Sequence, residues 1–228
     1  MKTHARLAVV GAFALAMAWV EAAVVLYLRV LVDRLQPYQA DPLPHFGGLG
    51  GAEVIREAST LLMLLAVGWL AGRKLRSRLA FSAFAFGVWD TAYYVFLIPL
   101  TGWPQSLLDW DILFLIPVPW WGPVIAPVSI ALLLIAGGLL TVWLEERDLP
   151  ADLRPWTWAP ALAGTAVVLL TFMADAIRAA GSGADFVRQV LPTEFGWGAF
   201  LAGYGLMAFP VLDLARRIPP VFRKGGAA

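Results

Sequence analysis

Ionisable residues interrupt several of the apolar stretches in this sequence. Asp90 stands within FGVWDTAYYVF, Glu21 and Asp175 interrupt two similar runs, and Glu57 belongs to a polar stripe that enters another. A charged side chain inside a membrane segment costs about 2.5–3.5 kcal/mol on insertion scales, so each one needs a partner or a function. In such a setting a carboxylate can bind a cation, carry a proton or act as a general base.

Two arginines accompany these acids. Arg56 directly precedes Glu57, and Arg178 follows Asp175 at a spacing that places both on one helix face. One interpretation is structural, with paired charges that fix helix register. The other is functional, with a polar cavity that binds a cation, a proton or a polar headgroup. Tyr94, one turn after Asp90, is compatible with both interpretations, since it can line a substrate path or donate a hydrogen bond from its hydroxyl to a neighbour. The candidate site residues are Glu21, Arg56, Glu57, Asp90, Tyr94, Asp175 and Arg178.

The composition indicates a membrane protein. Of the 228 residues, 60% are hydrophobic and 14% are charged, and the mean hydropathy is +0.73. Soluble domains are about 45–50% apolar and about 25% charged. The net charge of +1 gives no reason to expect a nucleic-acid partner. The chain has no cysteine, and neither His4 nor His45 lies in an apolar stretch. We therefore expect no cofactor.

Six segments are long and apolar enough, or nearly so, to cross a bilayer core of about 30 Å. They cover residues 7–31, 52–72, 79–100, 122–144, 158–180 and 196–214. The first resembles a signal peptide at its start, but its apolar run continues well beyond the usual 7–15 residues, which favours a retained helix. The expected fold class is an all-α membrane protein, a single polytopic domain with six transmembrane helices.

The segment between the third and fourth spans is unusual. It reads TGWPQSLLDWDILFLIPVPWWGPVIAP, and its prolines interrupt any long helix. We expect a short interfacial or re-entrant helix there, covered by protein, before the fourth span. Asp109 and Asp111 of the DWD motif are weak candidates for a metal site, since two carboxylates can ligate a hard cation. The better interpretation is that Ser106 caps this short helix and that the helix dipole favours Asp109 near its start.

The distribution of basic residues predicts the orientation. Twelve of the seventeen lysines and arginines fall at the termini and in the second and fourth connections. By the positive-inside rule both termini are then cytoplasmic, and the buried acids lie at the midplane or in the outer half. Small residues in the sixth span favour close helix packing within the chain, with a homo-oligomer or a larger membrane complex as the alternative. Membrane lipids are the other expected partners.

Three segments resemble those of an uncharacterised bacterial group of integral membrane proteins. They are REASTLLMLLAVGWLAG, FAFGVWDTAYYVFL and GWPQSLLDWDILFLIPVPWWGPVIAP, within roughly residues 15–140. The resemblance implies a polytopic membrane protein and carries no established activity. We expect a multi-pass protein of the bacterial cytoplasmic (inner) membrane.

Three functional hypotheses remain open at this point. The first is binding or transport of a cation, a proton or a small polar solute by a site that faces the periplasm. The second is an enzyme acting on an outer-leaflet lipid, in which Arg56 and Arg178 bind the headgroup and Asp90 or Glu57 is the general base. The third is a non-catalytic subunit or assembly factor, whose buried charges serve packing alone.

Overall fold

The computed structural model describes residues 2–43, 48–115, 117–151 and 154–219. These contain seven helices and two short strands. In chain order they are α1 (Thr3–Leu31), α2 (Gly48–Ala71), α3 (Leu75–Thr101), β1 (Trp110–Ile112), β2 (Trp121–Pro123), α4 (Ile125–Glu146), α5 (Pro155–Ala180), α6 (Ala184–Arg188) and α7 (Trp197–Arg216). All but α6 are long and apolar enough to cross a membrane. The all-α, six-span class is confirmed, and the protein is a multi-pass membrane protein.

Helix α3 is the centre of the larger group of helices and packs against α1, α2 and α4. Small residues make these contacts possible, since Ala14 and Ala18 of α1 are fully buried. A Cβ placed on Gly87 would lie 2.4 Å from the carbonyl oxygen of Ala131, which is a clash. Gly87 therefore lets α3 and α4 approach closely, as small residues do between membrane helices.

Helices α5 and α7 form a second group, which α4 joins to the first. Gly164 and Gly203 face each other across the α5–α7 contact, where a Cβ on either would lie within 3 Å of the other's carbonyl oxygen. Phe172 and Phe200 fill the core near this contact. Between the two groups of helices the chain leaves room for a cavity.

The segment before α4 is a two-stranded antiparallel hairpin, β1–β2, in which Asp111 is opposite Gly122. A turn at residues 106–109 precedes it, and the side chain of Asp109 accepts hydrogen bonds from the amides of Gln105 and Ser106, at 2.7 and 3.1 Å. This element lies where the short interfacial helix is expected and fits that expectation loosely, because its backbone is a turn and a strand pair. Pro117, Pro119 and Pro123 lie in the hairpin connection and at the end of β2, and they have no amide N–H to donate, which prevents a continuous helix there.

The two ends of the bundle differ in charge. The hairpin end is where α1, α3 and α5 end and α2, α4 and α7 begin. At the opposite end, which we call the basic end, arginine guanidinium groups lie over tryptophan rings. Arg78 is 4.4 Å from the ring centre of Trp69, and Arg147 is 4.1 Å from that of Trp143. Tryptophan and arginine together are typical of a membrane–water interface.

Candidate functional site

A cavity of about 460 Å³ lies in the hairpin half of the bundle. All six long helices contribute to its lining, together with residues 111–115 and Trp120 of the hairpin segment and with part of the α1–α2 connection. Carboxylates from α1, α2, α3 and the hairpin face it. They are Glu21, Glu53, Glu57, Asp90 and Asp111. The fold therefore brings together residues that are far apart in the sequence.

Three of these acids lie at similar depth. Glu57, Glu21 and Asp90 are each roughly 13–17 Å from the hairpin end of their helices, at a rise of 1.5 Å per residue. The cavity extends about one turn deeper, to Phe86 of α3 and Thr165 of α5. It is therefore a deep site and is not confined to the interface.

Arg56 is ion-paired with two of the acids. Its guanidinium forms ion pairs with Glu21 of α1 and with Glu53 one turn earlier on α2. Thr60 donates a hydrogen bond of 3.3 Å to the second oxygen of Glu21. We call Glu21, Glu53 and Arg56 the paired cluster. Its geometry joins α1 to α2, two helices that otherwise make few contacts, so this cluster has an evident structural role.

Asp111 of the hairpin is held by two other elements. Arg29 of α1 forms an ion pair with it at 3.4 Å, and the hydroxyl of Tyr94 donates to its other oxygen at 3.1 Å. Arg29 also lies 4.5 Å from the ring centre of Trp103. Burial raises the pKa of the Asp111 carboxyl to about 6, while the Arg29 guanidinium and the Tyr94 hydroxyl act against that rise. These contacts fix the hairpin over the cavity.

Glu57 and Asp90 are the unpaired acids. Glu57 is only 8% exposed, and its Oε2 has no hydrogen-bond partner within the described part of the chain. The backbone amide of Leu115 approaches this carboxylate. Asp90 has neither a hydrogen bond nor an ion pair among the residues that the structure describes, and its charged neighbour is another acid, Asp111. Buried polar groups are normally satisfied, so such exceptions need an explanation.

The arginines that line the cavity are already engaged. Arg56 is bound by the paired cluster, and Arg29 is bound by Asp111. Arg34 donates to the backbone carbonyls of Pro37 and Asp41, at 3.0–3.1 and 2.8 Å. Burial lowers the pKa of Arg34, although the charge of Asp41 acts in the opposite direction. Within the described ranges, five acids face the cavity against three arginines, so its charge favours a cationic guest.

The remaining walls are mostly apolar. They come from α4, α5 and α7 and from the hairpin, and include Ile130, Leu134, Val168, Phe172 and Met207. Trp89 and Trp120 also line the cavity, and the indole N–H of each is buried without a hydrogen-bond partner among the described residues. The cavity thus combines unpaired acceptors, unpaired donors and a large apolar surface.

Asp175 and Arg178 lie elsewhere. They form an ion pair of 2.7 Å near the end of α5, and the side chain of Arg178 is 75% exposed. Neither residue lines the cavity. The structure therefore brings Glu21, Arg56, Glu57, Asp90 and Tyr94 together and leaves this pair outside.

The two aspartates of the DWD motif have different roles. Asp109 caps the turn before the hairpin, and Asp111 is occupied by Arg29 and Tyr94. Among the described residues no group of three histidine, cysteine, aspartate or glutamate side chains has the arrangement of a metal site.

Sequence reasoning did not find the role of Arg29 or the structural partner of Asp111. Arg29 lies near the end of the first span, where an arginine is usually interfacial, and its partner is 82 residues away. The unpaired indoles were also missed. The only available signal for them was the density of tryptophan around the hairpin segment, which membrane anchoring explains equally well.

Comparisons of the chain with protein-family models, with curated proteins and with solved structures found no match. A functional assignment therefore depends on the chemistry of the cavity.

Proposed function

We propose that this protein binds a cation, a proton or a small polar solute at Glu57 and Asp90, and that it carries this guest into or across the bacterial cytoplasmic membrane. The observation that supports the proposal is the unpaired state of these two acids beside a paired cluster at the same depth. A purely structural acid in a membrane has a partner, as Glu21 does.

The proposed orientation follows from the charge of the two ends. The basic end carries the arginines of the α2–α3 and α4–α5 connections, and the positive-inside rule assigns it to the cytoplasm. The hairpin end is then periplasmic, and the cavity takes its guest from that side. Arg178, which the lipid-enzyme hypothesis requires as a headgroup ligand, lies outside the cavity and is bound to Asp175.

Dicyclohexylcarbodiimide tests the proposal, because this apolar reagent modifies protonated carboxyl groups within membranes. We expect adducts on Glu57 and Asp90 in the full-length protein in nanodiscs, located by mass spectrometry of its peptides. Glu21 should react far less, since its carboxylate is ion-paired with Arg56 and hydrogen-bonded by Thr60. Sodium or methylammonium chloride should slow the labelling if a cation occupies the site.

The matched controls are Glu57→Gln, Asp90→Asn and Asp175→Asn. The first two should each lose one adduct, whereas the third should retain the full pattern because Asp175 lies outside the cavity. Labelling of Glu21 at the same rate as Glu57, or an absence of labelling on both Glu57 and Asp90, would contradict the proposal.

A further inference from the structure

The size of the cavity is informative about its guest. A volume of about 460 Å³ is far more than a single small cation needs, since even a water molecule occupies only about 30 Å³. It falls within the range of roughly 300–1,000 Å³ in which proteins bind organic molecules. A proton or a metal ion would leave most of this space unfilled.

The character of the walls narrows the chemistry further. The surfaces supplied by α4, α5 and α7 are apolar, with Leu134, Phe172 and Met207 among them. A strongly hydrated ion gains nothing from such walls, whereas an apolar body gains by leaving water. The arginines around the cavity are bound to acids or carbonyls, so an anionic group would find no free cation among the described residues.

We infer that the guest is an amphipathic organic cation, whose ammonium group is bound by Glu57 or Asp90 and whose apolar body lies against α4, α5 and α7. The inference rests on the proposed function and specifies the class of its ligand. The unpaired indole N–H groups of Trp89 and Trp120 suit an acceptor atom, such as a hydroxyl or carbonyl oxygen, on the same molecule.

Three small probes separate the contributions of charge and apolar surface. They are 2-phenylethylammonium, its neutral analogue 2-phenylethanol, and methylammonium, which has the charge without the ring. Each is titrated by calorimetry into the full-length protein in phosphatidylcholine nanodiscs, with empty nanodiscs as the blank. We expect 2-phenylethylammonium to bind at least tenfold more tightly than either of the others.

Variants then test which cavity residues bind the ammonium group and which bind the apolar body. Asp90→Asn, or Glu57→Gln if that variant folds better, should reduce 2-phenylethylammonium affinity about tenfold and leave 2-phenylethanol unaffected. Leu134→Ala should weaken 2-phenylethylammonium about threefold and leave methylammonium unchanged. Leu132→Ala is its control on the same helix, because Leu132 is exposed on the outer surface of α4.

The outcomes are distinguishable. If methylammonium binds as tightly as 2-phenylethylammonium, the apolar body contributes nothing and the inference is wrong, although the cation site stands. If 2-phenylethanol binds as tightly, the acids do not select charge and the inference is also wrong. If no probe binds while the carbodiimide still labels Glu57 and Asp90, the ligand class is overturned but the proposed function is not.

Discussion

Glu21 and Glu53 differ from Glu57 and Asp90 in the partners that the fold supplies. The first two share one guanidinium, that of Arg56, whereas the second two have no ion pair among the described residues. All four face the same cavity, so burial alone does not explain the difference. Where charges serve only to join helices, the fold has provided a counter-charge. Where the fold provides no counter-charge, as at Glu57 and Asp90, the folded protein bears the free-energy cost of the buried acid. This pattern is expected of a ligand-binding site.

The paired cluster should show the largest effect on stability. Arg56→Gln leaves Glu21 and Glu53 buried without their counter-charge, and removing one partner of a buried pair costs about 3–5 kcal/mol. We expect a loss of roughly 3 kcal/mol in the free energy of unfolding, measured by reversible unfolding in mixed SDS micelles.

A compensating variant provides the control. Adding Glu21→Gln and Glu53→Gln to Arg56→Gln removes the stranded charges and should restore more than half of the loss. A loss below about 1 kcal/mol in the single variant would show that the cluster does not hold α1 against α2.

Asp111 should produce the next largest effect, as a dependence of stability on pH. Its pKa rises on folding from 3.8 to about 6, so the folded protein binds this proton more tightly than the unfolded chain. The Asp111 contribution to the free energy of unfolding is therefore greatest below about pH 4, falls as the pH rises to about 6, and is absent above that. The full change is roughly 3 kcal/mol at most, at 1.36 kcal/mol per pKa unit.

The measurement compares wild type with Asp111→Asn between pH 4 and pH 8. The difference in stability between the two should change with pH only below about pH 6.5, and in the direction of relative loss for the wild type as pH rises. Tyr94→Phe should move this window to higher pH, because the tyrosine hydroxyl stabilises the charged carboxylate. A flat difference across the whole range would contradict the role assigned to the burial of Asp111.

The helices and the depth of the acids were predictable from the sequence, but the rotation of the helices was not. Hydropathy locates a residue along the membrane normal, so Glu21, Glu57 and Asp90 could be assigned to one layer. Asp175 was assigned to the outer half by the same reasoning, yet it lies outside the cavity, because it is only about 7.5 Å from the hairpin end of α5, beyond Phe172 of the cavity wall. The packing of α5 against α7 was not predictable either. Gly164 and Gly203, which set that packing, are recognisable as small residues but not as partners.

The hairpin could not be predicted from the sequence, for a different reason. Its strands are three residues long, which is too short for an alternating pattern to be read. The contacts that fix it are long-range, from Arg29 and Tyr94 to Asp111. The prolines correctly excluded a continuous helix, but they do not specify which irregular structure replaces it.

Neutralising the unpaired acids should have a smaller effect on stability and one of opposite sign. Glu57→Gln and Asp90→Asn remove a carboxyl group that faces the cavity without leaving an ionic partner stranded. The folded state then no longer bears the cost of keeping that group charged or protonated, so each variant should raise the free energy of unfolding by roughly 1 kcal/mol. The comparison uses the same micelle titration as Arg56→Gln, at pH 7.5. A destabilisation of 2 kcal/mol or more in either variant would mean that the acid has a structural partner after all.

The exposed pair on α5 should show the smallest effect and therefore sets the baseline for the whole comparison. Asp175 and Arg178 form an aspartate–arginine ion pair, as Asp111 and Arg29 do, but the Arg178 side chain is 75% exposed. Ion pairs of this kind contribute about 0.2–1 kcal/mol or nothing measurable, and salt screens them. We expect Asp175→Asn to change the free energy of unfolding by less than about 0.5 kcal/mol, and the difference from wild type to disappear in 0.5 M sodium chloride. An effect as large as that of Arg56→Gln, persisting in salt, would show that Asp175 behaves as a buried charge. The presence or absence of an ion pair would then no longer distinguish structural acids from ligand-binding acids.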